Sequence, residues 1–280
     1  MQQITTIAEM RATACRLRAE GKTIALVATM GALHAGQEAI IHAAAARADV
    51  VIVSIFVNPL QFAPNELIAN YPRSFEADVA LCEKYGATLV FAPATEEIYP
   101  RGFSTYVSEE AISKSLCGPS RPMHFRGVAT LMAKLFNIIE PHFAYFGQKA
   151  AQRAAIVRKM AVDLHFNVEV VVVPTARDAD GLAEGVRNRE FTASQRLEAL
   201  ALSKALRKAK EMFDSGVRSP DRLIAEATHI LSQHRRVRII YISIVDNINM
   251  EPVRDVEPGR TTLVVSAWVD EVRLIDNVML

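Results

Sequence analysis

The chain reads as an α/β protein, a doubly wound parallel sheet followed by a smaller α+β domain. Short apolar runs at residues 24–28, 49–56, 88–92, 143–146 and 168–173 are rich in β-branched or aromatic residues. Continuous runs of that kind suit strands buried on both faces of a parallel sheet. Between them, residues 7–19, 37–47, 75–85, 128–138 and 150–163 carry helical periodicity, and such alternation predicts helices covering both faces. After Pro174 the texture changes. Two helical stretches, 194–215 and 220–235, precede strand candidates at 238–246, 261–268 and 273–275. The expected division is residues 1–175 and 176–280.

Composition bounds the partners. Half of the 280 residues are hydrophobic, 22% are charged, and the formal net charge is +1, so no global charge calls for nucleic acid or an anionic membrane. The run His234-Arg235-Arg236-Val237-Arg238 is expected to be a solvated connection into a strand. Three widely spaced cysteines build neither a disulfide framework nor a zinc site. Cys15 and Cys82 sit among helical apolar positions and are expected in the core, with Cys117 as a loop filler. No apolar run reaches the ~18 residues a membrane span needs, so the expectation is a cytoplasmic protein.

The densest chemistry follows the first long apolar run: Thr29-Met30-Gly31-Ala32-Leu33-His34-Ala35-Gly36-Gln37. A strand, a turn with two glycines and a histidine, then a helix presents unpaired N–H groups and a helix dipole to an anion. His34 then has two employments open to it, contact with a ligand or capping of its own turn. Five further segments fall at strand ends or strand-to-helix turns, where such domains bind ligands. They are Phe56-Val57-Asn58-Pro59-Leu60-Gln61-Phe62, Tyr71-Pro72-Arg73, the loop from Ser120 to Gly127, Phe146-Gly147-Gln148-Lys149, and Asp180-Gly181-Leu182-Ala183 running to Arg187-Asn188-Arg189. His42, His142, His165, His229 and His234 have no supporting constellation and read as structural or exposed. Trp268 is expected in the core.

Taken together, these segments resemble the pantoate–β-alanine ligases. The turn at 29–37 is similar to the His-x-Gly-His signature of the nucleotidylyltransferase superfamily. The resemblance implies a Rossmann-like first domain, a smaller second domain that lids the site, a homodimer, and ATP with Mg²⁺. The substrates implied are a small carboxylic acid and an amine, joined through an acyl-adenylate. It implies catalytic roles for His34, Lys149 and Arg187. The nucleotide site would comprise Thr29, Met30, Gly31, His34, Gly36, Gln37, Gly147, Lys149 and Arg187. Met30, Asn58, Gln61, Arg121, His124 and Arg153 would hold the substrates, and Asp78 would lie near the metal.

Some positions depart from the family's pattern. Gln37 stands for the second signature histidine, Ala35 for an acidic residue, Ala150 for an aspartate, and Arg153 for a glutamine. Gly185-Val186 replaces a serine pair, and Ala77 an acidic residue. A hydrogen bond to a charged group contributes ~1.5–3 kcal/mol. Losing several without compensation implies slower adenylation, a different acid, or a paralogue that has abandoned adenylation or catalysis altogether.

Overall fold

The computed structural model describes residues 1–63, 66 and 68–280. They form two compact units, one of Met1–Lys114 with Gly118–Pro174, the other of Ser115–Cys117 with Thr175–Leu280.

The first unit runs β1 (Gln2–Ile4), α1 (Ile7–Ala19), β2 (Ile24–Thr29), α2 (Ala35–Ala45), β3 (Val50–Ile55), α3 (Phe75–Lys84), β4 (Leu89–Phe91), α4 (Thr95–Ile98), α5 (His124–Ile139), β5 (Phe143–Gly147), α6 (Ala151–Asp163) and β6 (Glu169–Val173). Six strands make one sheet in the order β1-β4-β3-β2-β5-β6, and every pairing is parallel. The order places a topological switch beside β2. The chain steps from β2 to β3 to β4 in one direction, then returns to lay β5 on the other side of β2. In open α/β sheets the crevice for ligands lies at the carboxyl ends of such strands. Here that end of β2 leads into Thr29–Gln37, and that of β5 into Gly147–Lys149. The register Val27↔Tyr145 sets the two segments side by side, and a Cβ on Gly147 would lie 3.3 Å from Ile40 of α2.

Local chemistry explains several boundaries. Thr6 caps α1 by accepting the Glu9 amide at 3.3 Å. On α1 the buried positions are Met10, Thr13 and Ala14, spaced i, i+3, i+4. Cys15, one residue further round, is exposed and not a core thiol. Cys82, fully buried on α3, does belong to the core around β2, β3 and β4. The sequence pattern missed β1, too short for a periodic signal. It also started α5 at residue 128, because His124-Phe125-Arg126-Gly127 lacks a capping side chain.

The second unit contains α7 (Ala193–Asp214), α8 (Pro220–Ser232), β7 (Val237–Asp246), β8 (Thr261–Val269) and β9 (Val272–Met279). The strands form an antiparallel sheet in the order β7-β8-β9. Thr192 and Gln195 close a capping box on α7, and Ser219 with Pro220 starts α8. Alternate β8 residues Leu263, Val265, Ala267 and Val269 join Leu202, Leu206, Leu223 and Leu231 of the helices in one apolar cluster. Trp268 has the opposite parity and is half-buried, outside that cluster, with the Arg238 guanidinium 5.9 Å from its ring. Arg177 pairs in bidentate fashion with Asp276, 3% exposed on β9, and so fixes the start of this unit. Among the described residues, no helix is long and apolar enough to cross a membrane.

Candidate active site at the switch point of the sheet

The turn after β2 is held from beneath. Gly31 has φ +80° and Ala32 φ +50°, so two successive residues sit in the left-handed region. A Cβ at Gly31 would lie 3.0 Å from Asp78 Oδ2, which makes glycine the residue that fits. Asp78, 1% exposed on α3, accepts the backbone N–H groups of Ala32 at 2.9 Å and Leu33 at 2.8 Å. The Ser74 hydroxyl donates to it at 3.1 Å. Thr29 adds a second brace, donating to the Ser54 carbonyl and accepting from the Gly31 amide. Met30 is half-buried in the same turn.

Asp78 was expected near a metal. In the structure it is the carboxylate that locks a strained turn. Among the described residues, no group of three or more histidine, cysteine or acidic side chains could hold a metal ion.

His34 is the N-cap of α2. Its Nδ1 accepts the Gly36 amide at 3.1 Å, and its own N–H donates to Gln37 Oε1 at 3.2 Å. A ring nitrogen that accepts from an amide carries no proton, so the neutral imidazole bears its proton on Nε2. Gln37 sits at the third helical position, where a glutamine side chain completes a capping box. Gln37 thus stabilises the helix end that this turn presents.

Beyond β3, Asn58 begins a short helical turn, Pro59–Gln61. Asn58, which was expected to hold the acid, is 0% exposed and bonded at both ends of its amide. Its Oδ1 accepts the Leu60 amide at 3.2 Å and the Tyr99 hydroxyl at 3.0 Å, while Nδ2 donates to the Gly127 carbonyl at 2.9 Å. Burial pushes the Tyr99 phenol well above its ordinary range, so the hydroxyl stays protonated and donates. Sequence reasoning missed Tyr99, which lies 41 residues away and carries no local motif.

Gln61 has the opposite character. It is 8% exposed, and its Oε1 is buried with no hydrogen-bond partner among the described residues. His124, at the start of α5, contacts the Gln61 carbonyl through Nδ1 at 3.0 Å. Arg121 approaches the same carbonyl at 3.5 Å and Glu66 at 3.4 Å. Both residues therefore brace the Gln61 turn. Gly127 allows the approach, since a Cβ there would stand 2.3 Å from the Leu60 carbonyl oxygen.

Lys149 lies in the turn Gln148–Ala150 after β5, and Arg153 is half-buried in the first turn of α6. Arg187 belongs to the second unit, exposed in the turn Val186–Glu190, with Asn188 anchored to the Ala183 carbonyl. The topology thus gathers Thr29–Gln37, Asn58–Gln61, Asp78, Arg121, His124, Gly147, Lys149 and Arg153 within the first unit.

The Pantoate-beta-alanine ligase family model matches residues 2–279. The chain belongs to the pantoate–β-alanine ligase family. A pantothenate synthetase of Thermotoga neapolitana is 47% identical over 280 residues, covering 100% of both chains. The crystal structure of a Thermus thermophilus pantothenate synthetase superposes with a TM-score of 0.94 at 39% identity, covering 100% of this chain and 99% of that one. A Francisella tularensis pantoate–β-alanine ligase, solved with β,γ-ATP and β-alanine, gives a TM-score of 0.78 at 28% identity, with coverage of 100% and 97%. The pantoate–β-alanine ligase fold of a parallel six-stranded sheet and a smaller antiparallel one is thus shared end to end.

Proposed function

We propose that this chain is an ATP-dependent ligase that joins the carboxylate of pantoate to the amine of β-alanine through an acyl-adenylate. The observation that carries the reading is Gln61. A buried amide oxygen without a partner costs about 1–3 kcal/mol, and a bound hydroxy acid recovers that cost by donating a hydroxyl to it. A full-length match to relatives named for this reaction supports it.

On this reading the carboxylate attacks the α-phosphorus, the bond to the bridging oxygen breaks, and pyrophosphate leaves. The amine then attacks the acyl carbon, AMP departs, and the amine loses a proton. The chain's own contribution is positioning and charge. The N-terminal end of α2, the Nε2–H of His34 and the Lys149 ammonium face the demand for positive potential at the phosphates. Gln61 orients the acid on the neighbouring turn. Mg²⁺, carried by the nucleotide, supplies charge neutralisation when bound.

Arg153 supports a narrower second reading, in which the acid carries an additional anionic group that a guanidinium would pair. Cytoplasmic residence and the homodimer implied by the family resemblance belong to the same proposal. The test is AMP and pyrophosphate release by purified protein with ATP, pantoate and β-alanine. Stoichiometric amide, AMP and pyrophosphate are expected. Release only with dicarboxylic or phosphorylated acids would favour the second reading, and no AMP with any acid would end the ligase assignment.

A further inference from the structure

The turn that presents Gln61 is held by a hydroxyl from a distant part of the chain. Tyr99 is the residue that ends α4. Its ring packs against Phe56, which immediately precedes Val57-Asn58, with centroids 6.0 Å apart, and against Phe103 at 5.0 Å. The Lys134 ammonium of α5 lies 5.6 Å from the Tyr99 ring and 4.7 Å from that of Phe103. The hydroxyl therefore stands at a junction of the β3 exit, the α4 exit and α5.

Asn58 is the receiver. An amide oxygen has two acceptor directions, and here the Leu60 amide and the Tyr99 hydroxyl take both. These donors fix which end of the amide is oxygen, because a flipped Asn58 would aim Nδ2 at the Leu60 N–H. With the amide so oriented, Nδ2 holds the Gly127 carbonyl of α5. The Asn58 carbonyl in turn accepts the Gln61 amide at 3.1 Å. Each bond along this chain narrows the place from which the Gln61 side chain departs.

We propose that the Tyr99 hydroxyl is a positioning group for the acid subsite, acting through Asn58 to hold Gln61 where its buried amide meets the substrate. The proposal rests on the reading of Gln61 given above. Tyr99 itself touches no reacting atom.

The test is Tyr99→Phe, which keeps the ring and removes only the donor. KM for the acid rises on the order of tenfold, while kcat and the KM values for ATP and the amine stay within about twofold. Gln61→Ala raises the acid KM as well, and the double variant is no worse than Gln61→Ala, since both act on one group. An unchanged acid KM, an equal rise in all three KM values, or additive effects in the double variant would overturn the proposal.

Asn58→Asp provides an independent route should Tyr99→Phe fail to fold. It keeps one acceptor oxygen but opposes the Gly127 carbonyl with a second, and the same selective rise in acid KM is expected. Tyr106→Phe is the control, since it removes a hydroxyl from the same aromatic row at a ring 41% exposed. A wild-type protein without turnover refutes the ligase reading and leaves this one testable. The Gln61 side-chain amide resonance, assigned by its loss in Gln61→Ala, then decides. A shifted or broadened signal in Tyr99→Phe supports positioning, and an unmoved one refutes it.

Discussion

Gly127→Ala is expected to damage both stability and the proposed acid subsite, against the ordinary preference of a helix. In a helix interior, alanine is favoured over glycine by about 1 kcal/mol. At this position the added methyl would meet Leu60 O at 2.3 Å, Leu60 C at 2.5 Å and Gln61 N at 2.9 Å, all of them backbone. No rotamer relieves such contacts. Either α5 or the Pro59–Gln61 turn must withdraw by about 1 Å to restore normal separation. Overpacking of this kind costs about 1–3 kcal/mol, and withdrawal stretches the Asn58–Gly127 hydrogen bond, worth about 1 kcal/mol more. The net expectation after subtracting the helix gain is a loss of about 1–3 kcal/mol. Urea unfolding followed by far-ultraviolet circular dichroism measures it, because the one tryptophan, Trp268, reports on the second unit. The acid KM should rise in parallel while that for ATP holds. A Gly127→Ala variant of equal or greater stability with an unchanged acid KM would show that helix and turn do not approach this closely.

Three further outcomes are expected. Gln37→Glu retains the acceptor of the capping box and holds stability within about 0.5 kcal/mol, whereas Gln37→Ala loses about 1 kcal/mol. The same glutamate places a negative charge at the helix end proposed to face the phosphates, so the KM for ATP should rise several-fold, and an unchanged value would remove α2 from the phosphate site. Cys82, whose thiol is pushed up to about 12 by burial and then by the charge of Asp78, should resist a disulfide reagent at about pH 8 until the protein unfolds, while exposed Cys15 reacts at once. The pKa of His142 is lowered by burial and by Arg18, and its Nδ1 accepts the Ile24 amide at 3.0 Å. The unfolded chain therefore binds its proton more readily, and stability should fall as pH drops below about 6.5. His142→Gln should flatten that part of the pH dependence of the urea midpoint, and an unaltered slope would count against the assignment.

The parallel sheet was legible because its strands are buried on both faces and so are written as unbroken apolar runs. The turn at 29–37 was legible for a related reason: its glycines, histidine and helix start are consecutive. Contacts across the chain left no such trace. That Asn58 is a clip and Asp78 a strut depends on Tyr99, Gly127, Ala32 and Leu33, which come from other elements or from backbone groups with no letter of their own. Cys15 and Trp268 were misjudged by one residue of phase, which decides the buried face of a helix or strand but barely changes a local pattern.

Residue types and their order thus settled the layers of this protein and the family to which it belongs, because burial and helix-end chemistry act over a few neighbouring positions. Which polar side chains find partners within the fold was settled by packing. A buried amide or carboxylate binds whichever donors the fold brings within about 3 Å. Among the described residues Asn58 and Asp78 found theirs, and the Oε1 of Gln61 did not.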